Sequence, residues 1–199
     1  MTIPSFEDVM QLTRTISSSA ALEDDAALGL YVCLIQVPRA GIVVETGCQI
    51  GRSSSMIAQL AQAIGFHSIH IDPYCCEPPG VASESEDYRQ RWVTMMRRIG
   101  GEHEHRFTLL CMRTDQAYWM LDLVGRIDLA YIDGDHSQNG VEVDLALVAS
   151  RIKTGGLLTA HDYGSTGLPD VKPTIDAYVN NDSWEPIGVW GTLGVWRRK

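Results

Sequence analysis

Apolar residues recur at helical spacing from Ser5 to Val37, with a break near Ser17–Ser19, and Pro38 closes the second stretch. This predicts two amphipathic helices. Beyond Gly41 the pattern changes to short apolar runs separated by longer stretches of helical period. Ile42–Val44 reads as a buried strand that ends in Glu45-Thr46-Gly47. Met56, Ile57, Leu60, Ala61 and Ile64 share one helical face, and Gly65 ends that helix. Ser68–Ile71 is a second strand ending at Asp72, and the proline-rich stretch Pro73–Ser83 reads as a loop. Tyr88, Trp92, Met95, Met96 and Ile99 mark a helix stopped by Gly100-Gly101. Phe107–Cys111 is the third strand, Gln116–Leu123 a short helix and Ile127–Ile132 the fourth strand. Val141, Leu145, Val148 and Ile152 repeat at helical spacing before Gly155-Gly156, and Leu157–Ala160 is the fifth strand. A helix around Pro173–Val179 precedes strands at Pro186–Val189 and Leu193–Trp196, which turn at Gly191.

Helices alternating with apolar strands imply parallel pairing through right-handed crossovers, whereas the last two strands, joined by a tight turn, must be antiparallel. The expected fold is therefore α/β: a Rossmann-like, doubly wound, seven-stranded, mostly parallel sheet with an antiparallel C-terminal hairpin, preceded by N-terminal helices. A length of 199 residues fits one domain, with residues 1–38 as a helical extension and 41–199 as the core. No apolar run reaches the roughly 20 residues that span a bilayer, and Met1–Val9 lacks the basic cluster of a signal peptide. Five cysteines without metal-binding spacing read as reduced thiols, which points to the cytoplasm. A net charge of −9 argues against a nucleic-acid partner, because phosphate binding favours a basic face. No membrane partner is expected either.

In an open α/β sheet, ligands sit beyond the C-terminal strand ends, and the residues with chemistry cluster there. After the first strand comes Glu45-Thr46-Gly47-Cys48-Gln49-Ile50-Gly51-Arg52-Ser53. Gly47 and Gly51 allow a tight turn and a close ligand, and Ser53 stands near a helix N-terminus suited to a carboxylate. A dinucleotide loop would carry a glycine where this chain has Gln49, which disfavours NAD and a reductase. Asp72 ends the second strand, suited to accept from ribose hydroxyls, and Thr114-Asp115 ends the third, where an adenine edge would lie.

The sharpest feature is Ile132-Asp133-Gly134-Asp135-His136 paired with Ala160-His161-Asp162. If the fourth and fifth strands are neighbours, their ends lie about 5 Å apart and the carboxylates of Asp133 and Asp162 converge. Oxygen ligands at an open strand end suit Mg²⁺ or Mn²⁺. His136, three residues beyond Asp133, is placed to take a proton as general base.

These residues resemble the class I S-adenosylmethionine-dependent O-methyltransferases of the metal-dependent small-molecule type, nearest in pattern to the catechol, macrocin and cephalosporin-biosynthesis branches. The resemblance runs from about Gly41 to Trp196. Glu45-x-Gly47-x-x-x-Gly51-x-Ser53 has the spacing of that family's first motif, which implies that Glu45, Gly47, Gln49, Gly51 and Ser53 hold the methionine and ribose parts of S-adenosylmethionine. Asp72 matches the ribose-binding acid, Thr114 and Asp115 the adenine-side contacts, and Asp133 the first metal aspartate beside the cofactor. His161-Asp162 fall where the family has paired acidic or amide ligands, so a divalent cation is expected on Asp133, His161 and Asp162. Position 136 carries lysine in the catechol branch and histidine in the sugar-modifying branch, which turns the expected small-molecule acceptor away from catechols.

Two other readings stand beside this one. His136 and His161 form an acid–base pair in a metal-independent methyltransferase, or the chain binds S-adenosylmethionine as a non-catalytic scaffold. His103 and His105 read as a solvated turn. Trp184, Trp190 and Trp196 read as core packing or the face of a homodimer, Glu142 and Asp144 as helix surface, and Cys75-Cys76 as thiols without function.

Overall fold

A computed structural model describes residues 2–16, 22–74 and 82–199. The predicted break near Ser17–Ser19 and the Cys75-Cys76 pair lie outside those residues. The N-terminal helices are α1 (Phe6–Ile16) and α2 (Asp24–Leu34). Then follow β1 (Ile42–Thr46), α3 (Arg52–Ile64), β2 (His67–Ile71), α4 (Ala82–Gly100), β3 (Phe107–Leu110) and α5 (Thr114–Val124). The chain continues through β4 (Ile127–Ile132), α6 (Gln138–Leu147), β5 (Ile152–Ala160), α7 (Val171–Val179), β6 (Trp184–Trp190) and β7 (Leu193–Arg198).

The seven strands form one sheet in the order β3-β2-β1-β4-β5-β7-β6. β1 to β5 run parallel, and β7 inserts between β5 and β6, antiparallel to both. Side chains alternate between the faces of a strand, and the core divides accordingly. Val43, Leu129, Tyr131, Leu157 and Val195 pack with α1, α2 and α3 on one face. Val44, Ala130, Ile132, Leu158 and Ala160 pack against α5, α6 and α7 on the other. Every residue of β4 is buried, as expected for a central parallel strand covered on both sides. The order reverses about β1, whose neighbours are β2 and β4, so the crevice for a ligand opens at the C-terminal ends of these strands.

Three boundaries differ from the periodicity reading. α4 begins at Ala82, inside the expected loop, because Ser83–Asp87 contain no apolar residue and helical period shows only from Tyr88. Ile152 belongs to β5 rather than to the preceding helix. It pairs with Ile127, the register then slips so that Leu129 faces Leu157, and Gly155-Gly156 lie within the irregularity rather than between elements. Thr114-Asp115 are the first residues of α5, not the tail of β3. Trp184 and Trp196 are buried and Trp190 packs on the core, which agrees with the packing role expected for these rings. No helix among the described residues is long and apolar enough to cross a membrane.

Candidate active site

The loop from β1 to α3 is shaped by three positive φ angles, 78° at Gly47, 44° at Gln49 and 89° at Gly51. A Cβ on Gly47 would lie 1.8 Å from the carbonyl oxygen of Asp133, so only glycine lets the β1 and β4 ends meet. Asp72 Oδ2 accepts the backbone N–H groups of Cys48 at 2.8 Å and Gln49 at 2.9 Å, and Tyr74 Oη donates to the Gln49 carbonyl. A carboxylate accepts at about four positions, so Asp72 retains capacity for a hydroxyl donor. Burial pushes its pKa up to about 6, against the opposing pull of the Gln49 and Cys48 N–H groups.

Two residues of the first motif stand apart from the cavity. Gly51 caps α3 in the left-handed conformation and faces Met95, whose Cε would be 2.4 Å from an added Cβ. There it packs against Met95 and Trp92 of α4. Glu45 lies beneath the loop, fully buried, and accepts from both Ser53 Oγ and Ser54 Oγ and from His70. An alternating strand turns Glu45 away from the crevice toward α3, a geometry that motif spacing does not reveal. Ser53 borders the cavity, but its hydroxyl is committed to Glu45.

On the far side, Arg113 and Gln116 cap α5 reciprocally, and Arg113, Thr114 and Asp115 all border the cavity. Asp144, expected on the helix surface, is buried instead. Its Oδ2 accepts from Thr46 Oγ1 at 2.7 Å, and burial raises its pKa against the opposing pull of Thr114 and Thr46. It therefore ties the end of β1 to α6. Its position beside Val141 and Leu145 on the apolar face of α6 was the available signal.

At the β4 and β5 ends, the expected convergence of Asp133 and Asp162 is present, and both histidines join it. His161 Nδ1 lies 3.2 Å from Asp133 Oδ1 and 3.3 Å from Asp162 Oδ2. His136 Nε2 lies 3.0 Å from Asp162 Oδ2 and 3.5 Å from Asp133 Oδ1, at ion-pair distance without hydrogen-bond alignment. The fully buried Tyr131 donates from Oη to Asp133 Oδ2 at 3.1 Å. Asp162 is held at φ 56°, an uncommon conformation for a residue with a side chain. The carboxylates of Asp133 and Asp162 raise the pKa of His136 to about 9. Burial pulls His161 down, but the same two carboxylates override it and set the value at about 10. In return, His136 and His161 hold Asp162 well below the usual carboxylate range.

One cavity of about 650 Å³ joins these parts, bordered by Gly47, Gln49, Ser53, Asp72, Thr114 and Asp115 at one end and by Asp133, His136, His161 and Asp162 at the other. Residues 44–163 match the family described as a methyltransferase domain, more than half of the 199-residue chain. The chain belongs to that methyltransferase family. No curated protein matches it significantly.

Among solved structures, an O-methyltransferase from Bacillus cereus in complex with SAH is 14% identical with a TM-score of 0.65, covering 100% of this chain and 94% of that one. The O-methyltransferase TomG from Streptomyces achromogenes, involved in tomaymycin synthesis and in complex with SAM, is 13% identical with a TM-score of 0.66, covering 100% and 92%. CalS11, a TDP-rhamnose 3′-O-methyltransferase of calicheamicin biosynthesis, is 15% identical with a TM-score of 0.63, covering 96% and 93%. At such identities the likeness concerns the fold, and the seven-stranded sheet of this methyltransferase is the methyltransferase fold.

Proposed function

We propose that this methyltransferase uses S-adenosylmethionine to methylate a hydroxyl group of a small molecule, with assistance from a divalent cation. The observation that carries this reading is the continuity of the cavity from the glycine loop and Asp72 to the Asp133–His136–Asp162 cluster. Gly47, Gln49 and the first turn of α3 border the methionine end, Asp72 receives the ribose hydroxyls, and Thr114-Asp115 flank the adenine. The two carboxylates of the cluster suit a hard cation: Asp133 and Asp162 each offer an oxygen, within 4.8 Å of one another and of the His136 imidazole that stays free as the base. Asp133 and Asp162 would hold the ion, with His161 behind them. S-adenosylmethionine supplies a sulfonium methyl group, and the cation supplies a Lewis acid that lowers the pKa of a coordinated hydroxyl.

The protein's own groups then position the acceptor and move its proton. His136 is partly exposed on the cavity wall, with Nε2 turned to the carboxylates, and its imidazole would take the hydroxyl proton of a bound acceptor. Gly47, Gln49 and Asp72 would hold the sulfonium donor, whose sulfur would take the carbon–sulfur electron pair on methyl transfer. Orientation supplies most of the remaining acceleration, since no covalent protein intermediate is required.

The ion pairs of both histidines with both carboxylates favour a second reading, in which His136 and His161 act as the acid–base pair without a cation. Calorimetry with S-adenosylhomocysteine, in the presence and absence of Mg²⁺, tests both. Binding of the nucleoside with no binding of NAD is expected, and tight NAD binding with no response to S-adenosylhomocysteine overturns the proposal.

A further inference from the structure

Beneath the glycine loop lies a fully buried polar chain that the proposed mechanism does not use. Glu45 and His70 are register partners on the adjacent strands β1 and β2, so their side chains project side by side toward α3. His70 Nδ1 lies 2.5 Å from Glu45 Oε2, and His70 Nε2 lies 2.8 Å from Ser68 Oγ on the same strand face. Glu45 in turn accepts from the hydroxyls of Ser53 and Ser54 in the first turn of α3. Trp92 of α4 seals the other side of His70, edge-on at 5.1 Å between ring centroids. Glu45, Ser54, Ser68 and His70 are all 0% exposed.

A carboxylate buried this deeply must have every lone pair engaged, or it draws in whatever donor it can reach. His70 is the only donor to Glu45 among these bonds that comes from outside α3. Without it, the Glu45 carboxylate loses its lateral anchor on β2, and the tie that this β1 residue makes to the first turn of α3 is less firmly oriented. That turn carries Arg52 and Ser53 to the cavity wall. The N–H groups of a helix's first turn have no acceptor within the helix and suit a carboxylate ligand.

We infer that His70 is a positioning residue for the amino-acid end of the cofactor, acting through Glu45 on the first turn of α3 without touching ligand itself. The inference rests on the S-adenosylmethionine reading. Glu45, Cys48 and His70 also present ligand atoms within 4.8 Å of one another. Burial and the nearby charge of Glu45 keep the Cys48 thiol protonated, however, and its Sγ donates to the Ile71 carbonyl, so the trio is not a cation site.

The test compares two ligands, S-adenosylhomocysteine and 5′-methylthioadenosine, which share the adenosine and sulfur but differ in the amino-acid portion. Binding of S-adenosylhomocysteine to the unaltered protein checks the cofactor reading by itself. In His70→Gln the amide nitrogen sits at the Nε2 position, away from Glu45. S-adenosylhomocysteine should then bind about tenfold more weakly, the scale of one charged hydrogen bond, while 5′-methylthioadenosine changes less than about twofold. His70→Asn restores a donor at the Nδ1 position and should recover most of the loss. Ser54→Ala removes a different donor from the same carboxylate with little change in volume, and should reproduce the selective loss even if His70→Gln fails to fold. Equal weakening of both ligands, or unchanged affinity for S-adenosylhomocysteine in His70→Gln and Ser54→Ala, overturns the inference while leaving the cofactor reading intact.

Discussion

Replacing Asp72 with asparagine separates the cost of this carboxylate from its use. In the free protein, burial raises the Asp72 pKa from 3.8 to about 6. A shift of that size corresponds to roughly 3 kcal/mol against the ionised form, an upper figure because the group is partly solvated. Because the folded value lies above the unfolded one, stability from this group is fully present below pH 3.8 and is lost as the pH rises through about 6. At neutral pH the ionised carboxylate therefore opposes folding. Asparagine keeps a carbonyl oxygen for the N–H groups of Cys48 and Gln49. Asp72→Asn should therefore melt no lower than the parent at pH 7, and higher if the loop geometry survives. Ligand binding should move the other way. A ribose hydroxyl donating to a charged oxygen contributes about 1.5–3 kcal/mol, so S-adenosylhomocysteine should bind roughly 10- to 100-fold more weakly to the variant. Parent affinity should also fall by close to tenfold between pH 7 and pH 5 as Asp72 takes up a proton, and the variant should lack that dependence. Isothermal titration at both pH values, beside thermal melts, measures all three quantities. An asparagine variant that binds within twofold of the parent, or keeps the parent's pH dependence, refutes the assignment.

His136→Ala should reduce turnover by roughly 10²–10⁴-fold with S-adenosylhomocysteine affinity nearly unchanged, because a general base acts only in the transition state. Without added cation, the parent rate should rise with pH through about 9, where His136 releases its proton; a fully active His136→Asn removes the base from the mechanism. Mg²⁺ or Mn²⁺ should bind with release of protons, read by calorimetry in buffers of different ionisation enthalpy, and Asp162→Asn should abolish both. Turnover that survives EDTA and Asp162→Asn selects the metal-free reading. Gly47→Ala should fold poorly or lose S-adenosylhomocysteine binding, since its Cβ would overlap the Asp133 carbonyl. A stable Gly47→Ala variant with normal affinity contradicts the close approach of the two loops.

β4 was legible because it is a short, mostly apolar run bounded by charged residues, Ile127–Ile132 followed by Asp133. The convergence of Asp133 with Asp162 followed from one assumption, that β4 and β5 are neighbours, which the register of Ile132 with Ala160 satisfies. What escaped depended on the third dimension. Motif spacing placed Glu45 with the ligand loop, but strand alternation turns it into the core. Asp144 reads as a surface acid because charge outweighs position in a pattern search, although its neighbours Val141 and Leu145 lie on the buried face. β5 lost its first residues because Ile152 continues the period of α6 across a register slip. The part of His70 was invisible for another reason: a histidine inside an apolar strand has no pattern of its own until its neighbour across the sheet is known.

The acceptor end presents one electrostatic problem with two solutions. Asp133 and Asp162 converge at adjacent strand ends, and two carboxylates so close require positive charge between them. His161, 6% exposed and aimed at both, provides it from behind, and His136 provides it from the solvent side. With both imidazoles protonated the cluster is neutral overall, but His136 then holds the proton a base must lack. Acceptor deprotonation near neutral pH therefore requires that the carboxylates take their compensation from elsewhere. On the proposed reading, a divalent cation at the same oxygens would meet that need and would free His136 as a neutral imidazole in the pH range where it can act. The histidine at position 161, where the resemblance leads one to expect a carboxylate or amide, can therefore coexist with a metal site. It lowers the negative charge the cation must neutralise and makes cation binding compete with protons, so the requirement for metal should weaken as the pH rises.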